Sequence, residues 1–346
     1  MSATDETSGR PESRRRTPVM ADVAKLAGVS HQTVSRVIND SPQVRETTRE
    51  RVLVAMQELD YHPNSAARAL VTGRSRTLGV VSFDTTLYGP ASTLYAIERA
   101  AHEADYFISI VSLEALDRAS VLSAVERLRM QGVDGILVIA PLLGAVEALV
   151  DLPRDFPLVA VEAGPAESVL VVAVDQFAGA VLATRHLLEL GHRTVWHIAG
   201  PDDFLEAAQR VDGWRSTLQG AGAEVPPPLV GDWSPRSGYE LGQRLARDGR
   251  AGAIFVANDQ MALGALRALH EAGYDIPRQV SVVGFDDIPE AQYFTPPLTT
   301  VRQDFGEIGR SSLRLMLEMM ESDGTGPPSP LMVAPELIVR SSTAGV

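Results

Sequence analysis

Apolar and polar positions alternate along this chain in two different rhythms. Between Val19 and Leu59 the spacing is that of short helices. Met20, Val23, Ala24 and Ala27 share one face of a first helix, and Gly28 breaks it. Ser30 stands where it can cap a second helix, in which Val34, Val37 and Ile38 lie opposite His31, Gln32, Ser35 and Arg36. A third helix is predicted over 46–59, buried through Val52, Leu53 and Met56. Two short helices joined by a tight Gly-containing turn, with a third behind them, describe a helix-turn-helix unit.

The flanks of that unit read differently. Residues 1–17 are rich in Ser, Thr, Glu and Arg without apolar periodicity, which predicts a disordered arm. Residues 60–76 form a linker in which Tyr61-His-Pro-Asn64 turns the chain. Asn64 can cap the segment 65–71, which is too short and small to be a stable helix alone in water, and Gly73 ends it.

From Leu78 onward the rhythm changes. Short apolar runs at 78–81, 107–111, 135–140, 158–161, 195–199, 253–257 and 280–285 alternate with amphipathic stretches at 96–104, 121–131, 178–190 and 261–272. A last strand is expected over 336–340. Such alternation predicts parallel sheets covered on both faces. So many strands exceed one open sheet of ordinary size, so two α/β lobes are expected, with ligands at the C-terminal ends of their strands.

Charge sharpens this division. The net charge is −13, yet residues 1–76 carry 12 Lys and Arg against 9 Asp and Glu, a balance of +3, while the rest carries 19 against 35, a balance of −16. Only the first segment suits a phosphate backbone. The chain has no cysteine, which excludes disulfides and thiolate metal sites and fits a reducing cytoplasm. It shows no secretory signal and no run long enough to span a bilayer, so no membrane partner is expected. There is no G-x-x-x-x-G-K-[ST] loop, no G-x-G-x-x-G after a strand and no G-x-S-x-G elbow. His186, His192 and His197 are too irregularly spaced for a helical metal pair. An enzyme is therefore not expected, and neither is a metal or cofactor. A transport binding protein would share the two-lobed body but not the helix-turn-helix.

The stretch Asp22-Val-Ala-Lys-Leu-Ala-Gly-Val-Ser-His-Gln-Thr-Val-Ser-Arg-Val-Ile-Asn39 resembles the DNA-binding signature of the lactose-repressor (LacI/GalR) family. The likeness continues in order through Thr48-Arg-Glu50, Leu59-Asp-Tyr-His-Pro-Asn64, Leu78-Gly-Val80, Gly191-His192, Ala199-Gly-Pro201, Gly213-Trp214 and Gly231-Asp-Trp-Ser234. It then runs through Ala257-Asn-Asp-Gln-Met-Ala-Leu-Gly-Ala265, Ser281-Val-Val-Gly-Phe-Asp-Asp287 and Pro297-Leu-Thr-Thr-Val-Arg-Gln-Asp-Phe305, so that it covers roughly 18–342.

The resemblance implies a small all-α helix-turn-helix domain (18–63) and a hinge helix (64–76). An α/β two-lobed periplasmic-binding-protein-like domain (77–346) follows. Its N-lobe is expected at 77–174 with 304–332, and its C-lobe at 175–303 with 333–342. The implied function is a cytoplasmic, nucleoid-associated repressor, a homodimer on double-stranded operator DNA, controlled by a small sugar. A galactoside or other β-linked disaccharide acting as inducer is the expected effector, with a corepressor as the alternative sign. No leucine heptads follow the last strand, so a dimer rather than a tetramer is expected.

By the same resemblance His31, Gln32 and Arg36 read bases, while Ser30, Thr33, Ser35, Asn39 and Thr48 fix the backbone. Tyr61, Asn64 and Ala67 belong to the adjoining turn and hinge, and Leu70 is the minor-groove wedge. In the body, Arg210, Asn258, Gln260, Asp286 and Gln303 are the implied polar ligands of a sugar. Trp233 and Phe305 are the implied aromatic walls, Leu87, Gly89 and Pro90 line the first lobe, and Glu162 stands where the best-matched member has a shorter carboxylate. Val174 replaces an aromatic, and an aromatic also stands in that member at the position of His31. Sugar identity and operator preference are therefore not carried over.

Overall fold

A computed structural model describes residues 18–38, 41–62, 73–113, 117–142, 156–163, 170–321 and 331–346. The arm at 1–17, Asn39 and the hinge residues Asn64, Ala67 and Leu70 lie outside them. The chain divides into two compact units, Met1–Ser75 and Arg76–Val346.

In the first unit three helices enclose one small core: α1 (Met20–Ala27), α2 (His31–Ile38) and α3 (Glu46–Glu58). Gly28 ends α1 in the left-handed region (φ 63°), a conformation glycine adopts without a Cβ penalty. Ser30 then starts α2, its Oγ accepting from the Thr33 amide at 3.1 Å. Val23, Ala24, Ala27, Val34, Val37, Val52 and Ala55 form the core. One expectation fails here. Leu53 is half exposed, and Ala55 is buried in its place. Val52, Ala55, Met56 and Leu59 follow the i, i+3, i+4, i+7 stripe, whereas Leu53 lies about 100° around the helix from Val52.

Among the described residues, the second unit contains two six-stranded sheets. Sheet one takes the order β11-β5-β4-β3-β1-β2, from β1 (Thr77–Phe83), β2 (Phe107–Leu113), β3 (Gly135–Ile139), β4 (Leu158–Val161), β5 (Leu170–Val174) and β11 (Leu331–Val333). Sheet two takes the order β12-β10-β9-β8-β6-β7, from β6 (Trp196–Ala199), β7 (Leu229–Val230), β8 (Ala253–Val256), β9 (Ser281–Asp286), β10 (Thr299–Arg302) and β12 (Glu336–Ile338). Every pairing is parallel except β10 with β12. Sheet one is flanked by α4 (Tyr88–Glu103), α5 (Arg118–Met130) and α10 (Phe305–Glu321). Sheet two is flanked by α6 (Gln176–Glu189), α7 (Leu205–Gly220), α8 (Pro235–Asp248) and α9 (Asp259–Glu271).

Central strands such as β3, β4 and β9 are buried along their whole length, as parallel strands covered on both faces must be. The apolar run of β2 departs from that expectation. It is an edge strand, leaving Phe107 72% and Ile110 48% exposed. Helix α4 also begins two turns before the predicted residue 96. Gly89 and Pro90 occupy its first turn, where a missing amide costs nothing.

The path of the chain places the site. It leaves sheet one after β5 and enters α6 at Gln176. It returns after β10 through Gln303 to α10, which packs on α4 and on β3–β5. It crosses once more between β11 and β12. Gln176 and Gln303 thus sit at two crossings between the lobes, and the Gln176 Nε2 donates to the Gln303 Oε1 at 2.8 Å. On another side, the Leu205 amide donates to the Pro141 carbonyl at 2.9 Å, and Leu142 bridges to Phe204.

Candidate functional site

The strands of both sheets end at a narrow cleft between the lobes. Leu87, Tyr88, Gly89 and Pro90, from the loop after β1 and the start of α4, line one side. Phe204, Glu206, Arg210, Trp233, Asn258, Gln260, Asp286 and Gln303 line the rest. A concave space at the carboxyl ends of parallel strands is where an α/β protein binds its ligand.

Arg210 organises the polar wall. It lies on α7, only 2% exposed, and stacks at 3.8 Å over the Phe285 ring. Its Nε donates to the Gln176 Oε1 at 2.9 Å and its Nη1 to the Ala257 carbonyl. The Nη2 lies 3.9 Å from both Glu206 and Asp286, too far for a direct hydrogen bond to either. Gln303, which accepts from Gln176, extends this relay by donating from Nε2 to the Asp286 Oδ1 at 2.6 Å. Four side chains from α7, α6, the end of β10 and the end of β9 therefore fix one another, while Nη2 keeps its donors for a guest.

Trp233 supplies the apolar wall. Its backbone is in the left-handed region (φ 71°), and its ring lies where any Cβ at Gly200 would be, 2.2 Å from the nearest ring carbon. Phe204 meets it edge to face at 5.5 Å. The Trp233 Nε1 is buried and has no hydrogen-bond partner. An orphaned buried donor beside a guanidinium with unspent hydrogens suits a ligand rich in acceptor oxygens.

Burial governs the charges. Desolvation pushes Asp286 up to about 7 and Glu162 up to about 8; in each case Glu206's charge adds to the effect and Arg210 opposes it. Desolvation also raises Glu206, against the pull of Arg210. Asp259, buried beside Asp286, is raised for the same first reason.

The structure gathers most of the expected ligands in one place. Leu87, Gly89, Pro90, Arg210, Trp233, Asn258, Gln260, Asp286 and Gln303 all line the cleft. Asn258 is heavily committed: its Oδ1 caps α9 at the Met261 amide (2.9 Å), and its Nδ2 donates to the Trp233 carbonyl and to Gln260. Phe305 does not line the cleft but stands behind Tyr88, edge to face at 5.9 Å. Glu162 also lies off the lining, buried at the end of β4 with its Oε2 accepting from the Val174 amide at 3.3 Å. Sequence reasoning missed Tyr88, Gln176, Phe204 and Glu206. Glu206 stands four residues before Arg210 on one helical face, a spacing that carried the signal.

In the first unit, His31, Gln32 and Arg36 are exposed on α2, while Thr33 and Ser35 are half-buried. Ser30 and Thr33 hydroxyls also bond each other at 2.9 Å, so this pair builds the N-terminus that faces outward. Thr48 on α3 and Tyr61 beyond it are half-buried, Tyr61 packing against the core.

Residues 19–64 match the model of bacterial regulatory proteins of the lacI family, and 184–343 match a periplasmic binding protein-like domain. The HTH-type transcriptional repressor PurR of Haemophilus influenzae is 34% identical over 94% of this chain and 98% of its own length. The chain belongs to the lacI family. Another member, the HTH-type transcriptional regulator CelR of Thermobifida fusca, is 36% identical over 95% of this chain and 99% of its own. Among solved structures, the lac repressor dimer bound to operator and the anti-inducer ONPF superposes with a TM-score of 0.83. It is 31% identical and is covered over 95% of this chain and 100% of that one. A CelR–cellobiose complex gives 0.67 at 32% identity, over 94% and 99%. This lacI-family chain is thus a DNA-binding regulator, with a helix-turn-helix unit and a ligand-binding body. No helix among the described residues is long and apolar enough to cross a membrane.

Proposed function

We propose that this protein is a homodimeric transcriptional repressor whose grip on a pseudo-palindromic operator is released by a small β-linked disaccharide. The observation that carries the sugar is the cleft itself. Arg210 Nη2 and Trp233 Nε1 offer unsatisfied donors, Asp286 and Glu206 offer acceptors, and the Trp233 ring offers an apolar face. Sugar hydroxyls with one C–H face match that set. The complex of CelR with cellobiose adds support from a relative.

On the DNA side, the exposed His31, Gln32 and Arg36 read base edges, with Ser30, Thr33, Ser35, Asn39, Thr48 and Tyr61 on the backbone. Asn64, Ala67 and Leu70 act as the hinge that enters the minor groove. Two half-sites require two recognition helices. The outer edge of β2, unpaired among the described residues and with Phe107 and Ile110 exposed, gives the body an apolar surface for a second copy. The two lobes, 77–174 with 304–332 and 175–303 with 333–342, act as the bodies whose relative rotation carries the signal, in the cytoplasm, on nucleoid DNA. Release requires that the sugar bind the DNA-free conformation more tightly, since equal affinity shifts nothing.

A thermal-shift panel of mono- and disaccharides, followed by operator binding by fluorescence anisotropy, tests this. The expected result is a disaccharide that raises the melting temperature and weakens operator binding. One that strengthens it would reverse the sign to corepression. Operator binding with silence across all sugars would overturn the sugar reading.

A further inference from the structure

Two charged side chains of the cleft stand one helical turn apart on α7. Glu206 is in its first turn and Arg210 follows four residues on, so the helix itself fixes their spacing. Both line the cleft, and the Glu206 Oε2 lies 3.9 Å from the Arg210 Nη2. That gap is too wide for a direct hydrogen bond, but it is the right width for a third atom. An oxygen about 2.8 Å from each would make an angle of roughly 90° between them, so one hydroxyl can accept from Nη2 and donate to the carboxylate.

Glu206 is not needed to hold Arg210. The guanidinium is already fixed by the Gln176 Oε1, the Ala257 carbonyl and the Phe285 ring. Nor is Glu206 engaged elsewhere: among the described residues its carboxylate accepts no hydrogen bond, whereas Asp286 has given its Oδ1 to Gln303. A carboxylate in a first turn also suits the helix dipole, but that benefit needs no burial, and the Glu206 side chain is only 16% exposed. A buried acceptor without a partner is costly, so its place in the cleft calls for a donor from the guest.

Charge limits what that guest can be. Arg210 is the only cation among the described lining residues, and Glu206 and Asp286 share its Nη2 at 3.9 Å each. A phosphate or carboxylate group brings oxygens that accept but do not donate at neutral pH, and it would meet two acidic side chains with no cation to spare. Burial raises Glu206 and Arg210 draws it back; in neither protonation state does it help to offset an entering anion. We propose that Glu206 is the specificity-determining residue of this cleft: with the Arg210 Nη2 it clasps one hydroxyl of the sugar, and it bars sugars that carry a phosphate or carboxylate group. The inference rests on the sugar reading above and narrows it to uncharged sugars. Specificity of this kind comes as much from the penalty on the wrong ligand as from contacts to the right one.

Matched ligands on the full chain test this. Calorimetric titrations at neutral pH compare cellobiose and lactose with their 6′-phosphates and with cellobionic and lactobionic acids, for wild type and for Glu206→Gln; thermal unfolding checks that the variant is folded. In wild type each charged derivative should bind at least about tenfold more weakly than its parent sugar, the least that one lost hydrogen bond to a charged group costs. In Glu206→Gln the parent should weaken by about tenfold while the charged derivatives weaken less or gain, so that the preference collapses. A folded variant that weakens on parent and derivative alike, or binds neither, makes Glu206 a support for Arg210 and overturns the proposal. So does a charged derivative that matches its parent in wild type, a comparison that needs no variant and leaves the sugar reading intact. Silence from all six ligands in wild type removes the β-linked disaccharide reading, and this inference falls with it.

Discussion

Replacing Arg210 by Met removes a cation from among Glu162, Glu206 and Asp286 while keeping most of the side-chain volume. Breaking a buried ion pair by deleting one partner costs roughly 3–5 kcal/mol, and the lost stacking on Phe285 adds roughly 1–2 kcal/mol. The carboxylates limit the damage by holding protons. Asp286 sits at about 7 with Arg210 present and must rise without it. A carboxyl whose folded value lies above its unfolded one stabilises the fold below the unfolded value and loses that contribution as pH rises through the folded one. Relative to wild type, each pH unit above 7 should therefore cost the variant a further increment of about 1.4 kcal/mol while its extra proton is retained. Urea unfolding followed by circular dichroism at pH 6, 7 and 8 reads this directly. A loss below about 1 kcal/mol, or one that is the same at all three values, would refute the electrostatic account of the Arg210 site. The same variant should lose its response to sugar.

Further expectations follow from other parts of the molecule. His197 is buried, pushed down to about 4 by desolvation, with its Nε2 unpartnered; stability should fall by about 3 kcal/mol as pH drops from 6.5 to 4, and His197→Phe should remove that acid limb from a pH series of unfolding midpoints. At Gly264 a Cβ would stand 1.9 Å from the Pro235 carbonyl, so Gly264→Ala should force α8 and α9 apart and cost roughly 1–3 kcal/mol by thermal or urea unfolding. An unchanged midpoint there would mean that the helices already tolerate separation. Arg36→Ala should weaken operator binding by roughly 1–3 kcal/mol in anisotropy titrations and relax preference at one base position, whereas a uniform loss across sequences would assign Arg36 to phosphate.

Much of this architecture is legible in the chain because local signals agree with tertiary ones. Ser30, Gly28 and the 3.6-residue stripe specify α2 by themselves, and the fully apolar runs of β4 and β8 read as strands buried on both faces. Leu53 is misplaced because it lies about 100° from Val52, off the stripe that Ala55, Met56 and Leu59 complete, and residue type alone does not show which of the two neighbours that stripe includes. Helix α7 was hard to recognise because Arg210 occupies its buried face, so its apolar rhythm is interrupted at the very residue that matters to the cleft. Nine expected ligands line that cleft, yet Tyr88 joins them, and Gln176 bonds Arg210, through the meeting of two lobes, which no local spacing records.

The late return of the chain to sheet one bears on how this molecule is made. β5 ends at Val174, but its outer neighbour β11 begins only at Leu331, and α10, which covers β3–β5, lies between Phe305 and Glu321. A growing chain can complete the helix-turn-helix core from its first 60 or so residues alone. Sheet one, by contrast, stays open along β5 until the ribosome has released the whole of sheet two's parallel set, and such distant pairing is slow and exposes apolar surface meanwhile. Nascent chains halted near residue 300 should therefore present a folded head on an unfinished body, the species on which chaperones would act.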